Sequence, residues 1–414
     1  MHLLTRILNI SLRSLSMIGR FLLIFSIAKL FTPTQLGIFG LLNSGIGFFI
    51  LFVGFNYYSY SNRNLVAHQK KDYPKIILNQ LYAYVPLYFI VLPFSFLFFY
   101  KDILPIEYFW WFIVLVVVEH ISTEQHRLLN ITQHQLKATM VLFLKSASWV
   151  FIVIPLAYIF PDLREIDILL VGWFIGNVLA IYFGSKTIYG FSDNWKLIKP
   201  DYRWILKGYR VGFLFFVGTL SLQSVSFLDK YFLKYMSDTQ MVGVYTFYLT
   251  LIMGITAFIH AGLIVFLSPK IVKAFQDNEI ENFFKLLDKF FKELAVASIV
   301  MAICLYIFLP LVVSWIGKDI YENHYDIFYM LIFMGVFSVL SNHPHTFLYA
   351  SKKDRYMLFS NISGLVSFLI SFFVLYSLNL FEPLYVVALS IDITFGWLLF
   401  IKYIGYFYYK KEMV

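Results

Sequence analysis

Long apolar runs separated by short polar connections recur along the whole chain. Crossing the roughly 30 Å hydrocarbon core of a bilayer takes about 20 mostly apolar helical residues, and runs of that length occur twelve times. The predicted helices cover 7–31, 37–60, 76–99, 108–128, 139–160, 168–190, 209–228, 241–266, 292–315, 327–349, 357–380 and 384–408. The expected fold class is an all-α integral membrane protein with twelve transmembrane helices.

The polar connections sort by charge, which sets orientation, because loops rich in Lys and Arg stay in the cytoplasm. The second connection holds Arg63, Lys70, Lys71 and Lys75, and the sixth holds Lys186, Lys196, Lys199, Arg203, Lys207 and Arg210. With the fourth, eighth and tenth connections and the C-terminal end, this side collects 23 of the 33 basic residues, against five on the other side and five in or beside helices. Both termini are therefore expected in the cytoplasm. The net charge of +9 follows from this bias and from contact with anionic lipid, so no nucleic-acid partner is called for.

Composition narrows the class further. At 60% hydrophobic and 14% charged residues, with a mean hydropathy of +0.74, the chain lies outside the range of soluble globular proteins. Its one cysteine, Cys304, excludes an intrachain disulfide and any metal site built on paired thiolates. No small-residue cleavage site follows the first apolar run, so that helix is expected to be retained. There is no phosphate-cradling glycine loop, zinc cluster or nucleophilic triad, and the outer connections are too short to form a domain. A non-enzymatic function without cofactor or metal is expected, and ATP is not its energy source.

The chain also repeats itself. KLFTPTQLGIFGLL from Lys29 follows the first helix, and KYMSDTQMVGVYTFY from Lys234 follows the seventh. One inserted residue aligns Thr34, Gln35, Gly37 and Phe39 with Thr239, Gln240, Gly243 and Tyr245. Six helices separate the two, so the halves have the same membrane orientation, as in parallel-repeat transporters. The expected division is 1–207 and 208–414, each a six-helix bundle.

Chemistry enters with the first helix, RILNISLRSLSMIGRFLLIFSIAKLF from Arg6. Seven residues advance an α-helix by about 700°, so Arg6, Arg13 and Arg20 share one stripe, with Asn9 and Ser16 between them. Facing lipid at that depth costs an arginine at least about 2.5 kcal/mol, so the stripe is expected to face protein or a wet cavity. Arg6 is assigned to orientation at the cytoplasmic end, whereas Arg13 and Arg20 are candidate substrate-binding residues. A guanidinium is a planar fork suited to phosphate or carboxylate, so the cargo is expected to be anionic.

Other ionisable groups within apolar runs join the candidates by the same logic. Lys145 and His260 are grouped with the substrate-binding arginines; Glu119, Glu124 and Asp392 are ion-coupling candidates, Asp392 being equally able to neutralise an arginine from another helix. In EHISTEQHR from Glu119, His120, Glu124 and Arg127 share one stripe, and Glu119, Thr123 and His126 the next. That spacing permits a metal, but an ion-pair network is the expected arrangement. Pro344 is expected to distort helix ten, with His343 and His345 hydrogen-bonded, and Asp229 and Lys230 are expected at the outer interface.

RFLLIFSIAKLFTPTQLGIFGLLNS from Arg20 and SFLDKYFLKYMSDTQMVGVYTFY from Ser226, with EHISTEQHRLL and the Pro269 that closes helix eight in LSPKIVKAF, resemble signatures of the Wzx-type O-antigen and polysaccharide flippases. Their wider superfamily includes the MATE exporters and the lipid II flippase MurJ. The resemblance implies a V-shaped pair of six-helix bundles around a cationic cavity, working by alternating access on an ion gradient. The implied cargo is an undecaprenyl-diphosphate-linked oligosaccharide, an O-antigen or similar repeat unit, flipped from the cytoplasmic to the periplasmic leaflet of a bacterial inner membrane. Membrane lipids, and a polysaccharide polymerase with its chain-length machinery, are the other implied partners. Two rivals stand beside it. A membrane polymerase or ligase resembles this chain in length but would carry a large periplasmic loop, and a MATE-type exporter usually takes cations, which the arginines would repel.

Overall fold

The computed structural model describes residues 2–192, 195 and 199–412; Lys196, counted above in the sixth connection, lies outside them. The described residues are all-helical, with twelve helical spans long and apolar enough to cross a membrane. These are α1 (Leu4–Leu30), α2 (Pro33–Gly54), α3 (Lys70–Tyr100), α4 (Ile106–Ile131), α5 (Gln135–Ile159), α6 (Ile166–Tyr189), α7 (Tyr202–Met236), α8 (Thr239–Gln276), α9 (Ile280–Ile316), α10 (Tyr325–Ala350), α11 (Asp354–Leu378) and α12 (Pro383–Lys411). All twelve predicted runs are there. The largest extensions are at the end of α8 and the start of α9, where amphipathic turns carrying Lys273, Lys285 and Lys289 continue the helices past their apolar runs. Pro269 does not close α8. It sits inside the helix, which runs on to Gln276.

The chain separates into two compact units, Met1–Phe216 and Val217–Val414, so the division falls within α7. In the first unit, α1 packs along α5, α5 and α4 pack on α6, and α2 packs on α3 and α4. Small residues let these backbones approach, the usual device where lipid supplies no hydrophobic drive between helices. A Cβ on Gly19 would lie 2.6 Å from that of Ala147, and one on Gly176 would lie 2.6 Å from the Trp149 ring and 2.8 Å from the Leu144 carbonyl oxygen. Both contacts grip one place on α5, the π-helical turn Leu144–Ser148. Side chains satisfy the carbonyls this wider turn loosens: Ser148 donates to Leu144 O at 2.7 Å and Trp149 Nε1 to Lys145 O at 3.2 Å.

Helix α2 starts on a capping box, in which the Thr32 side chain accepts from Gln35 N and the Gln35 side chain accepts from Thr32 N. It ends at Gly54, where Phe55 and Asn56 both take the left-handed conformation, with φ of 47° and 48°. Two adjacent non-glycine residues there are strained, at about 1 kcal/mol or more each. The chain then continues as the helix Tyr58–Ala67. Packing holds the break: a Cβ on Gly212 of α7 would lie 2.9 Å from Phe55 O, and one on Gly208 2.4 Å from the Tyr57 ring.

In the second unit, α12 packs against α10 and α11, and α8 and α9 both pack on α10. The outer part of α7 stacks Phe232 on Phe372 of α11, with centroids 4.2 Å apart. Helix α8 starts at the N-cap Asp238, whose side chain accepts from Met241 N, and carries a π-helical turn at His260–Ile264. From Thr32 to the break at Phe55 is 23 residues, and from Asp238 to the π-turn at His260 is 22. The two segments that the sequence repeat aligns therefore lose α-helical register at matching distances from their caps.

Gly176→Leu is expected to cost about 2 kcal/mol or more by overpacking against Trp149 and the Leu144 carbonyl. Gly262→Ala, with nothing within 4 Å of the new Cβ, is expected to leave stability unchanged or slightly raised. Thermal unfolding midpoints of the two purified variants in detergent check the contrast.

Candidate functional site: a cationic face on the first unit

Helix α4 carries two polar stripes that turn to different neighbours. On one, the Glu119 carboxylate meets α5 and α6. Lys145 Nζ, on the π-turn of α5, lies 2.5 Å from Glu119 Oε1 and donates to Thr123 Oγ1 at 2.6 Å. Trp173 Nε1 of α6 donates to Glu119 Oε2 at 2.9 Å. Asn177, one turn on, donates to Trp173 O at 3.0 Å and accepts from Ser122 Oγ at 2.7 Å. Lys145 is buried and only 17% of the Glu119 side chain is exposed. Charges buried to this degree are costly unless paired, and the Lys145–Glu119 contact with the Thr123 and Trp173 hydrogen bonds supplies the pairing.

The other stripe turns to α3. Arg127 lies 2.5 Å from Glu124 Oε1, while Gln80 Nε2 and the Tyr84 hydroxyl reach Glu124 Oε2 at 2.9 and 2.7 Å. The Arg127 guanidinium also sits 4.0 Å over the Tyr58 ring. His120 meets Tyr88 through Nδ1 at 2.6 Å and packs edge-on against the Tyr84 ring, with centroids 4.7 Å apart, so it joins the Glu124 cluster through Tyr84. This stripe lines a lateral cavity of about 350 Å³ between α3, α4 and α6, walled by Leu81, Leu128 and Ile188 and closed at one end by Tyr189 and Trp195. Among the described residues no group of three or more His, Cys, Asp or Glu is placed to hold a metal ion.

The arginine stripe runs beside the first of these networks. Its Asn9 accepts from Thr139 on α5, and its Ser16 is buried with its hydroxyl on Leu12 O. Arg6, Arg13 and Arg20 are exposed on the unit's surface. Arg20 lies within electrostatic reach of Glu119, and Arg13, Arg20, Arg127 and Lys145 all lie within reach of His126. Four cations thus act electrostatically on His126 of α4, two of them paired with the carboxylates Glu119 and Glu124. The face carries an excess of two positive charges.

The second unit holds the remaining candidates apart from one another. His260 is exposed at the first position of the π-turn in α8. Asp392, midway along α12, accepts a hydrogen bond from Met334 N of α10 at 3.0 Å and forms no ion pair among the described residues; no arginine neutralises it. Asp229 and Lys230 are both buried, with Lys230 Nζ 3.2 Å from Asp229 Oδ1 and the Tyr245 hydroxyl on Asp229 Oδ2 at 2.9 Å. Helix α10 breaks at Ser341, ahead of Pro344, but His343 is not hydrogen-bonded. Both its ring nitrogens are buried without a partner, and the ring packs on Phe291 and Tyr406.

Sequence reasoning listed Lys145 as a solitary charge and Glu119 as a coupling group, and missed that they hold each other. It also missed Gln80, Tyr84, Trp173 and Asn177. A readable signal existed for the last two: Trp173 and Asn177 stand four apart within an apolar run, which puts two polar tips on one face of α6.

No protein-family model and no curated protein matches the sequence. Solved structures do match in fold. One, the inward-facing conformation of a multidrug resistance MATE family transporter of the MOP superfamily, aligns at a TM-score of 0.74 and 15% identity, over 98% of this chain and 97% of that one. The lipid II flippase MurJ in an inward closed conformation aligns at 0.72 and 13% identity, over 97% and 87%. A MOP superfamily transporter from Pyrococcus furiosus Vc1, described as having a binding pocket of reverse polarity that suggests a different function, aligns at 0.64 and 16% identity, over 98% and 95%. The chain has the fold of these transporters.

Replacing Lys145 with Met is expected to cost about 3 kcal/mol by leaving the Glu119 carboxylate without its cation, whereas Lys145→Met with Glu119→Gln recovers most of the loss. Thermal midpoints of the two single variants and the double variant, compared as a cycle, measure the coupling.

Proposed function

We propose that this protein is a flippase for an anionic lipid-linked oligosaccharide, an undecaprenyl-diphosphate-linked repeat unit of a surface polysaccharide such as O-antigen. One observation carries the reading: the excess of cations on the first unit, where Arg13, Arg20, Arg127 and Lys145 converge near His126 against two carboxylates. The diphosphate is the part of such a lipid that resists entering hydrocarbon, and guanidinium and ammonium groups are the donors that replace its water. Arg20 is the first contact, being exposed and midway along α1, and Arg13 extends the track. The prenyl tail stays in the bilayer. A fold shared with a lipid II flippase suits this cargo, and the transporter with a pocket of reversed polarity suits a scaffold that accepts cargo of either sign.

The rival exporter reading, in which a MATE-type protein carries cations, is disfavoured by the same excess of positive charge. Coupling to an ion gradient falls to Asp392 among the three candidates. Glu119 and Glu124 each hold a cation of their own, whereas Asp392 meets only a backbone amide and is open to a proton or a sodium ion. The setting is a bacterial inner membrane with both termini cytoplasmic, and a polymerase with its chain-length machinery receives the product.

Complementation of a deletion strain at matched membrane levels tests the reading. Arg20→Ala is expected to abolish surface polysaccharide and trap complete lipid-linked repeat units on the cytoplasmic face, while Arg6→Ala exports normally. Units that reach the periplasm but stay unpolymerised would instead assign the protein to the polymerase or ligase step. In proteoliposomes, Asp392→Asn is expected to make flipping insensitive to an imposed ion gradient.

A further inference from the structure

We infer that Glu119 is a resident counter-anion: its carboxylate occupies the anion subsite formed by Lys145 and Trp173, and the diphosphate of the cargo must displace it. The inference rests on the anionic cargo proposed above and adds how the site is kept closed without it. Donors from two helices converge on this carboxylate. They are the Lys145 ammonium of α5 at 2.5 Å and the Trp173 indole N–H of α6 at 2.9 Å, with the Arg20 guanidinium of α1 within electrostatic reach. Such donors suit any oxyanion that reaches them.

Two features make the carboxylate displaceable. The Glu119 side chain is 17% exposed and stands on the regular helix α4, so its displacement needs rotation of a side chain and no change of backbone. Lys145 stands on the π-turn of α5, the kind of local irregularity that recurs at functional sites because its backbone bonds are already out of α-register. A diphosphate brings at least two charges where Glu119 brings one, and the face around His126 has two positive charges to spare. It can therefore bridge Lys145 and Arg20 once Glu119 leaves. Trp173 is the positioning residue: its indole holds Glu119 Oε2 and biases the carboxylate toward the closed arrangement.

The test titrates detergent-purified full-length protein with inorganic pyrophosphate and, separately, farnesyl diphosphate, following the thermal midpoint. Glu119→Gln is expected to start with a lowered midpoint and to be stabilised at pyrophosphate concentrations at least tenfold below those needed by the wild type. Trp173→Phe keeps the charge and loosens its hold, and is expected to shift the same curve severalfold. Adding Lys145→Met to Glu119→Gln is expected to abolish the gain. Glu119→Gln that binds pyrophosphate no better than the wild type, while the wild type does bind, overturns the counter-anion and leaves the flippase reading standing. If neither probe stabilises any of the proteins, both readings fall. Tighter binding of farnesyl diphosphate alone would place the gain at the prenyl chain and overturn the displacement.

Discussion

A charge inside a bilayer needs an opposite charge or water, and the first unit is built around that demand. Lys145 on α5 stands 2.5 Å from Glu119 on α4. Glu119 in turn is held from α6 by Trp173. Three helices thus share one ion pair, and the close approaches at Gly19 and Gly176 put the backbones where the pair can form. The polar interaction and the small-residue packing are two aspects of one constraint. Helices held apart by larger side chains would leave two unpaired charges in hydrocarbon.

The second unit meets the same demand in another way. Its buried pair joins sequence neighbours, Asp229 and Lys230, on one helix, and borrows a tyrosine hydroxyl from α8. A pair of that kind ties α7 to α8. Asp392 stands without a cation, and the two nitrogens of His343 stand without any partner. The excess of positive charge on the first unit therefore has no counterpart built from these groups, although the two units derive from sequences that align at their first turns.

Most of the architecture was legible because lipid leaves the sequence little freedom. Twenty apolar residues in a row can only be a spanning helix, and all twelve runs are helical. The ends were less legible where α8 and α9 continue as amphipathic turns, since a hydropathy window sees apolar length and not hydrogen bonding. Proline misled at Pro269, where the helix absorbs it, and informed at Pro344, beside a real break at Ser341. At the site, the arginine stripe could be read because its spacing lies within one helix. The Glu119–Lys145 pair could not, because it joins positions 26 residues apart, and helix packing rather than sequence period decides which polar faces meet.

The interruptions of α2 and α8 lie 23 and 22 residues beyond their N-caps, yet nothing else about them agrees. One is a pair of left-handed residues, Phe55 and Asn56, and the other a π-turn at His260–Ile264. They share neither residues nor backbone geometry. What two descendants of a duplicated segment would keep in common here is a measured length, with the chemistry at its end rewritten in each copy. Inheritance of that kind is invisible to comparison letter by letter. It is consistent with a chain whose sequence matches no family model while its fold matches several proteins along most of their length.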